Sequence, residues 1–387
     1  MQTEAANLPE LSLLGGPLHR LGLRLRLVRG KASLPLGLVL GWGSWAVLCG
    51  LVVFEGAGEK LFSLETIAAH LRLAVVIPLL FLVESLLDPR LGDFVRGLAR
   101  SGVVSAAELG RLGEEVAATL RRKDSVAPEL LCLVAAGLTT LLAPHLALSG
   151  ATASPEAART FAEAPAAAAW YWGFCLPLFR FLIFRWLWRL FLWQRFLWRL
   201  SRLDLRLLST HPDGAGGLGY VEVVQTRLAP LVLTISLVVS ASCAEEIALG
   251  DSVFEVIYPQ LALTFLVEMA LILLPPAVFF FKLRRCQEDG LRDYGAFAAQ
   301  YAQAFQSKWM NGDAAPPEPL LGTADVQSLA DLSNGYAVVR GMRWIPVSSR
   351  LAIRAAGLAL APMLPLFLFK YPIAELAQRL FAKFAGL

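Results

Sequence analysis

Charge is scarce in this chain. Asp, Glu, Lys and Arg supply 17% of its 387 residues, where an average soluble domain carries about 25%. The deficit is concentrated in runs of roughly 20 apolar residues, the length that crosses about 30 Å of hydrocarbon. A soluble domain would have to cover such helices with amphipathic ones, and too few polar faces remain to do so. Cysteine is sparse and scattered. Cys49, Cys132, Cys175, Cys243 and Cys286 form no C-x-x-C pair, which removes a zinc ribbon or thioredoxin-type site. Neither a G-x-G-x-x-G fingerprint nor a Walker loop is present, so no cofactor is expected. No internal repeat is visible, so an inverted-repeat transporter gains no support. The residues decide neither for nor against catalysis.

What is abundant is apolar surface. The chain is 56% hydrophobic, with ten Trp and 22 Phe that suit interfacial belts and lipid-facing positions. Spanning candidates fall at 34–54, 70–87, 129–148, 165–186, 229–249 and 257–281, with a seventh at 351–371 interrupted by Pro362 and Pro365. The expected fold class is all-α: a polytopic transmembrane helical bundle of six or seven spans, with cytoplasmic helical segments.

Charge in the loops orients these spans. Arg20, Arg24, Arg26, Arg29 and Lys31 precede the first, and Glu55 and Glu59 follow it. Basic and acidic connections alternate through to Lys282-Leu-Arg284-Arg285, the positive-inside pattern. It predicts a bacterial inner-membrane protein with a cytoplasmic N-terminus. Residues 1–33 read as a basic cytoplasmic segment rather than a cleaved leader, because the apolar run at 34–54 is too long for one. Residues 34–281 form a six-helix core with cytoplasmic loops at 88–128 and 187–228. Residues 282–350 form a cytoplasmic helical segment, and 351–387 a final membrane helix and tail. Ser105-Ala-Ala-Glu108 has the form of a capping box, and Tyr294, Phe297, Tyr301, Phe305 and Trp309 share one helical stripe.

Three segments attract functional readings. The first is 179–208, FRFLIFRWLWRLFLWQRFLWRLSRLDLRLL, whose arginines fall on one half of a helix circumference. It reads as an interfacial helix holding anionic lipid through Arg195, Arg199 and Arg202. A voltage-sensor reading fares worse, because most of these arginines lie beyond the end of the span. The second is 204–220, where Asp204, His211 and Asp213 precede Gly214, Gly216, Gly217 and Gly219. A structured turn and a cytoplasm-facing pocket for an anionic headgroup or metal are both open here, with Asp204, His211, Asp213, Gly216 and Gly217 as its lining. The third is Glu268, near the middle of a span with Thr264 one turn before it and Arg180 as a prospective partner from the fourth span. Ionisable groups at that depth are costly and mark function by default.

The motifs THPDGAGGLGY (210–220) and GTADVQSLADL (322–332), with YGAFAAQYAQAFQSKW (294–309) between them, resemble a group of proteobacterial multi-pass inner-membrane proteins. The resemblance covers about 170–370 and implies a location without an activity. Two function classes follow from the residues. One is a channel or transporter with Glu268, Arg180 and Thr264 along a polar path. The other is a cytoplasm-facing protein that binds or modifies lipid through 204–220. A membrane scaffold or signalling protein is a third. Expected partners are membrane lipids, with a second copy of the chain as a further candidate and no nucleic acid.

Overall fold

A computed structural model describes residues 8–146, 161, 163–248, 254–310, 319 and 323–370. Among these residues there is no strand, only two isolated bridges, Arg29 with Ala32 and Val104 with Leu205. Six helices are long and apolar enough to cross a membrane, and a seventh counts if a bent pair is one span. The molecule is a multi-pass membrane helix bundle.

After the short helix α1 (Pro17–Arg24), α2 (Leu34–Phe54) packs against α3 (Ile67–Arg100). Gly37 and Gly41 make the close approach possible. A Cβ at Gly41 would stand 2.5 Å from the Leu73 carbonyl oxygen, and one at Gly37 2.7 Å from the Phe81 ring. Small residues four apart are how helices approach closely in lipid.

Helix α4 (Leu109–Asp124) lies at the basic end and meets α5 (Val126–Leu146) at a 45° bend. The expected capping box is not formed. Ser105 makes no side-chain cap bond, and Glu108 instead pairs with Arg111 at 2.9 Å. Helix α6 runs unbroken over Pro165–Leu200, 36 residues and about 54 Å at 1.5 Å per residue. It stops short of the expected Leu208 because the chain turns at 201–203, where Ser201 Oγ donates to the Trp198 carbonyl at 2.8 Å.

Helix α7 (Tyr220–Ala248) is the most buried of the spans and packs against α3, α8 (Phe254–Leu273) and α11 (Ser349–Leu360). Helix α8 ends before Pro275-Pro276, so the span predicted to reach 281 is shorter by several residues. From Phe280 the chain continues as α9 (Phe280–Trp309), which pairs with α10 (Ala324–Arg340). Tyr301 Oη and Trp309 Nε1 of the predicted stripe donate to Asp325 at 3.2 and 3.0 Å. The proline-rich stretch at 314–319, which reads in sequence as a stiff extended linker, lies outside the described residues except for Pro319.

The proline-interrupted final run follows α7 along its length. Ser348 bonds Glu222 at the start of α7, Ser236 donates to the Ala359 carbonyl at 2.7 Å midway, and Met363 and Leu366 cluster with Cys243 and Ala244 near its end. Residues 349–369 therefore cross the bundle from one side to the other, with a turn at Leu364–Leu366 rather than a re-entrant fold-back. The predicted amphipathic tail, 373–387, lies outside the described residues. Outward faces carry the apolar surface a bilayer would cover: Leu131 and Leu141 on α5 are 69% and 73% exposed, Leu263 and Leu266 on α8 both 63%.

Candidate functional site

The 204–220 segment does build an anion cradle, and its anion is its own. Asp213 accepts backbone N–H bonds from Ala215 at 2.8 Å, Gly217 at 3.2 Å and Gly219 at 2.7 Å. His211 Nδ1 lies 2.8 Å from Asp213 Oδ1. Burial works against the Asp213 charge, but those three N–H groups and His211 outweigh it and hold the carboxyl below its usual range. Gly216 and Gly217 take φ of +65° and +95°. They serve packing: a Cβ on Gly217 would overlap Val103, and one on Gly216 would press on Met342, Leu283 and Leu207. Arg343 locks the turn by donating to the Asp213 carbonyl at 2.7 Å and to Glu222 at 2.9 Å. Of the expected cluster, His211 and Asp213 meet, Asp204 is exposed, and Asp213 spends its carboxylate on the turn.

An open cavity of about 480 Å³ lies beside that turn. One wall is 205–210, including Leu205, Leu207 and Leu208. The other is a face of α9 that presents Lys282, Arg285, Asp289 and Asp293. Their spacing of three, four and four residues keeps all four on one stripe. Gly290 lets the walls meet, since a Cβ there would stand 2.5 Å from Ser209 Cβ and Oγ. Tyr294 Oη reaches Thr210 Oγ1 at 3.5 Å. Lys282 Nζ donates to the Leu203 carbonyl at 2.5 Å. Burial lowers the Lys282 pKa, while the charges of Asp204 and Glu108 act the other way. The volume falls in the range of about 300–1,000 Å³ common to small-molecule sites. In sequence Lys282 and Arg285 register only as a basic connection and Tyr294 only as part of the stripe, while Asp289 and Asp293 carry no signal of their own. The available signal was the cation-to-acid order along one helix face just past a span.

Within the spans, Glu268 is fully buried. Its Oε1 accepts from Ser236 at 2.8 Å, and its Oε2 finds no donor. The prospective partner Arg180 is not paired with it: Arg180 Nη1 and Nη2 are buried without an acceptor among the described residues. Helix α11, running alongside α7, is what places Ser236 between Glu268 and Ala359. Thr264 Oγ1 is spent on the Gln260 carbonyl of its own helix at 2.8 Å. Among the described residues no hydrogen bond or ion pair joins these three to one another. Arg72, which sequence reading passed over, is buried and donates to Tyr171 Oη and Ser242 Oγ, each at 2.7 Å. Arg72 and Tyr171 both sit in π-helical stretches, Leu71–Val76 and Tyr171–Cys175.

The arginine-rich helix divides by depth. Arg185 and Arg189 point inward and are 4% exposed. Arg185 bonds Glu84 at 2.8 Å and Glu129 at 3.0 Å, and Arg189 also pairs with Glu84. The N-terminal segment closes over this knot. Asp88 accepts from Ser12 Oγ at 2.7 Å and Leu13 N at 3.0 Å, and Arg185 donates to the Gly15 carbonyl at 3.2 Å. Half-buried His19 beside it has a lowered pKa, first through burial and then through the Arg185 charge. Farther along, Arg195 is drawn to Glu115 at 3.6 Å, while exposed Arg199 and Arg202 flank Trp198 at 5.2 and 5.1 Å from its ring centroid.

Compared with family models, curated proteins and solved structures, the chain finds no match. Among the described residues no group of His, Cys, Asp and Glu is arranged to hold a metal ion.

Proposed function

We propose that this membrane protein binds a polar lipid headgroup in the cavity between 205–210 and α9, at the cytoplasmic edge of a bacterial inner membrane. The cavity itself carries the reading. It begins at Lys282, in the first turn of α9 and nine residues beyond the end of α8 at Leu273, on the side where that span leaves the apolar bundle. Leucines of one wall suit the glycerol and upper acyl region, and Lys282 and Arg285 suit a phosphate. Arg202 beside Trp198 adds an outer contact for anionic lipid, which Arg195 and Arg199 share less because Glu115 lies 3.6 and 3.9 Å from them. The sidedness rests on the alternation of basic and acidic loops. A reporter fused after Lys123 or Arg285 should read cytoplasmic, and one after Gly150 or Gly250 periplasmic.

Native mass spectrometry with lipidomics tests the reading. The wild-type protein should retain lipid through detergent exchange, and Lys282→Ala/Arg285→Ala should lose it while keeping its helicity. Equal lipid retention by the variant would overturn the assignment. Transport is a second reading, favoured by the unpartnered buried atoms of Arg180 and Glu268 inside the spans. It expects Glu268→Gln to abolish flux in reconstituted vesicles without loss of expression, and unchanged flux would reduce Glu268 to a structural role.

A further inference from the structure

The α9 wall of the cavity is not uniformly positive. Lys282 and Arg285 stand at its membrane end, and Asp289 and Asp293 follow one and two turns farther out. Each turn advances about 5.4 Å. A purely anionic headgroup would meet cations first and then two carboxylates, whose repulsion it could not avoid at full depth. A headgroup with a phosphate followed by an amine meets the opposite charge at each level. We propose that the cavity selects a zwitterionic, phosphoethanolamine-type headgroup, phosphate towards Lys282 and Arg285 and ammonium towards Asp289 and Asp293. This rests on the lipid-binding reading above and narrows its ligand from a polar headgroup to a zwitterionic one.

The residues present are suited to those roles. Arg285 makes no ion pair among the described residues, so its guanidinium is available to a phosphate. Lys282 uses one of its three N–H donors on the Leu203 carbonyl and keeps two. Among the described residues the ion-pair partner of Asp289 is Arg292, at 3.3 Å and on a solvated surface, a contact that an ammonium can displace. Tyr294 and Thr210 add hydroxyls at the outer end of the cavity. A primary ammonium offers three donors to these oxygens, which a glycerol headgroup cannot match with charge. Leu205, Leu207 and Leu208 on the facing wall give the acyl-bearing side of the molecule an apolar surface. The occupant is therefore a lipid rather than a free headgroup.

The test uses full-length protein in maltoside detergent and short-chain lipids below their micelle concentration, with binding followed by calorimetry. Dihexanoyl phosphatidylethanolamine should bind more tightly than dihexanoyl phosphatidylglycerol. Asp289→Asn/Asp293→Asn should weaken the ethanolamine lipid by about fivefold, the scale of two partly solvated ion pairs, and leave the glycerol lipid unchanged or tighter. Glycerophosphoethanolamine, which lacks chains, should bind more weakly than the lipid. Equal affinity of the wild type for the two lipids would overturn the zwitterion assignment while leaving lipid binding in place. Equal affinity for the chain-free compound would overturn the lipid source. Binding of neither lipid would remove both this inference and the function it rests on.

Discussion

Two charged clusters of this protein are built from the same residue types and behave as opposites. Around Glu84 the arginines of α6 are buried, bonded to carboxylates and sealed by residues 12–18. Along α9, Lys282, Arg285, Asp289 and Asp293 face an open cavity and keep much of their bonding capacity. Charge consumed by protein partners holds helices together. Charge left facing a cavity is free to meet a ligand. The difference follows from depth, since a buried unpaired charge costs far more than a solvated one.

The sharpest way to break this comparison is Glu84→Leu. Arg185 and Arg189 would lose their shared acceptor while still buried, and removing one partner of a buried pair costs about 3–5 kcal/mol. Thermal unfolding by circular dichroism should show a large fall. Arg285→Ala, in the open cavity, should stay within about 0.5 kcal/mol of wild type. Similar losses in both variants would erase the distinction.

Asp213→Ala comes next. It strands three backbone N–H groups that now share one carboxylate, a cost of about 1–3 kcal/mol where such groups stay buried. The pH dependence has a definite sign. The folded pKa of Asp213 is lowered, so its contribution is complete above the unfolded value of about 3.9 and fades as pH falls through the folded value. His19 is also lowered, so its loss begins as pH drops below about 6.5. Denaturant titrations should therefore show two steps of destabilisation on acidification. The upper step should shrink in His19→Gln, and the lower one, to which other carboxylates of lowered pKa such as Asp93 and Glu10 also contribute, should shrink in Asp213→Ala.

The smallest effect on stability belongs to Arg199→Ala/Arg202→Ala. Both side chains are exposed beside Trp198, so unfolding should change by no more than about 0.5 kcal/mol. Lipid contact should still respond. Quenching of Trp fluorescence by brominated anionic lipid in nanodiscs should weaken at low salt, and unaltered quenching would remove these arginines from the lipid contact.

Most of the bundle was legible in the sequence, because span length is written directly in apolar runs and α9 in a helical stripe of aromatics. Legibility ended where partners lie far apart in the chain. Arg72 meets Tyr171 and Ser242 at separations of 99 and 170 residues, and Arg185 meets Glu84 at 101. A local charge pattern cannot tell an arginine on a lipid-facing arc from one turned inward. The 204–220 segment admits both a turn and a pocket in sequence for a different reason. Glycines with positive φ do gather N–H groups on one point, but Asp213, at the head of the same loop, fills that point before any ligand can. Pro275-Pro276 could have been read as the end of α8, which would have drawn attention to the stripe that begins at Lys282.

Cys286 offers the most direct measurement of the central claim, because it lines the cavity and is half-buried there. Burial raises its pKa, with the Asp289 charge adding to it, so labelling is best followed at mildly alkaline pH. The rate of maleimide modification of Cys286 is to be compared in delipidated protein with and without dihexanoyl phosphatidylethanolamine, using Cys49 as the control. The account predicts that lipid slows labelling at Cys286 and leaves Cys49 unchanged. Equal rates at Cys286 with and without lipid would contradict it.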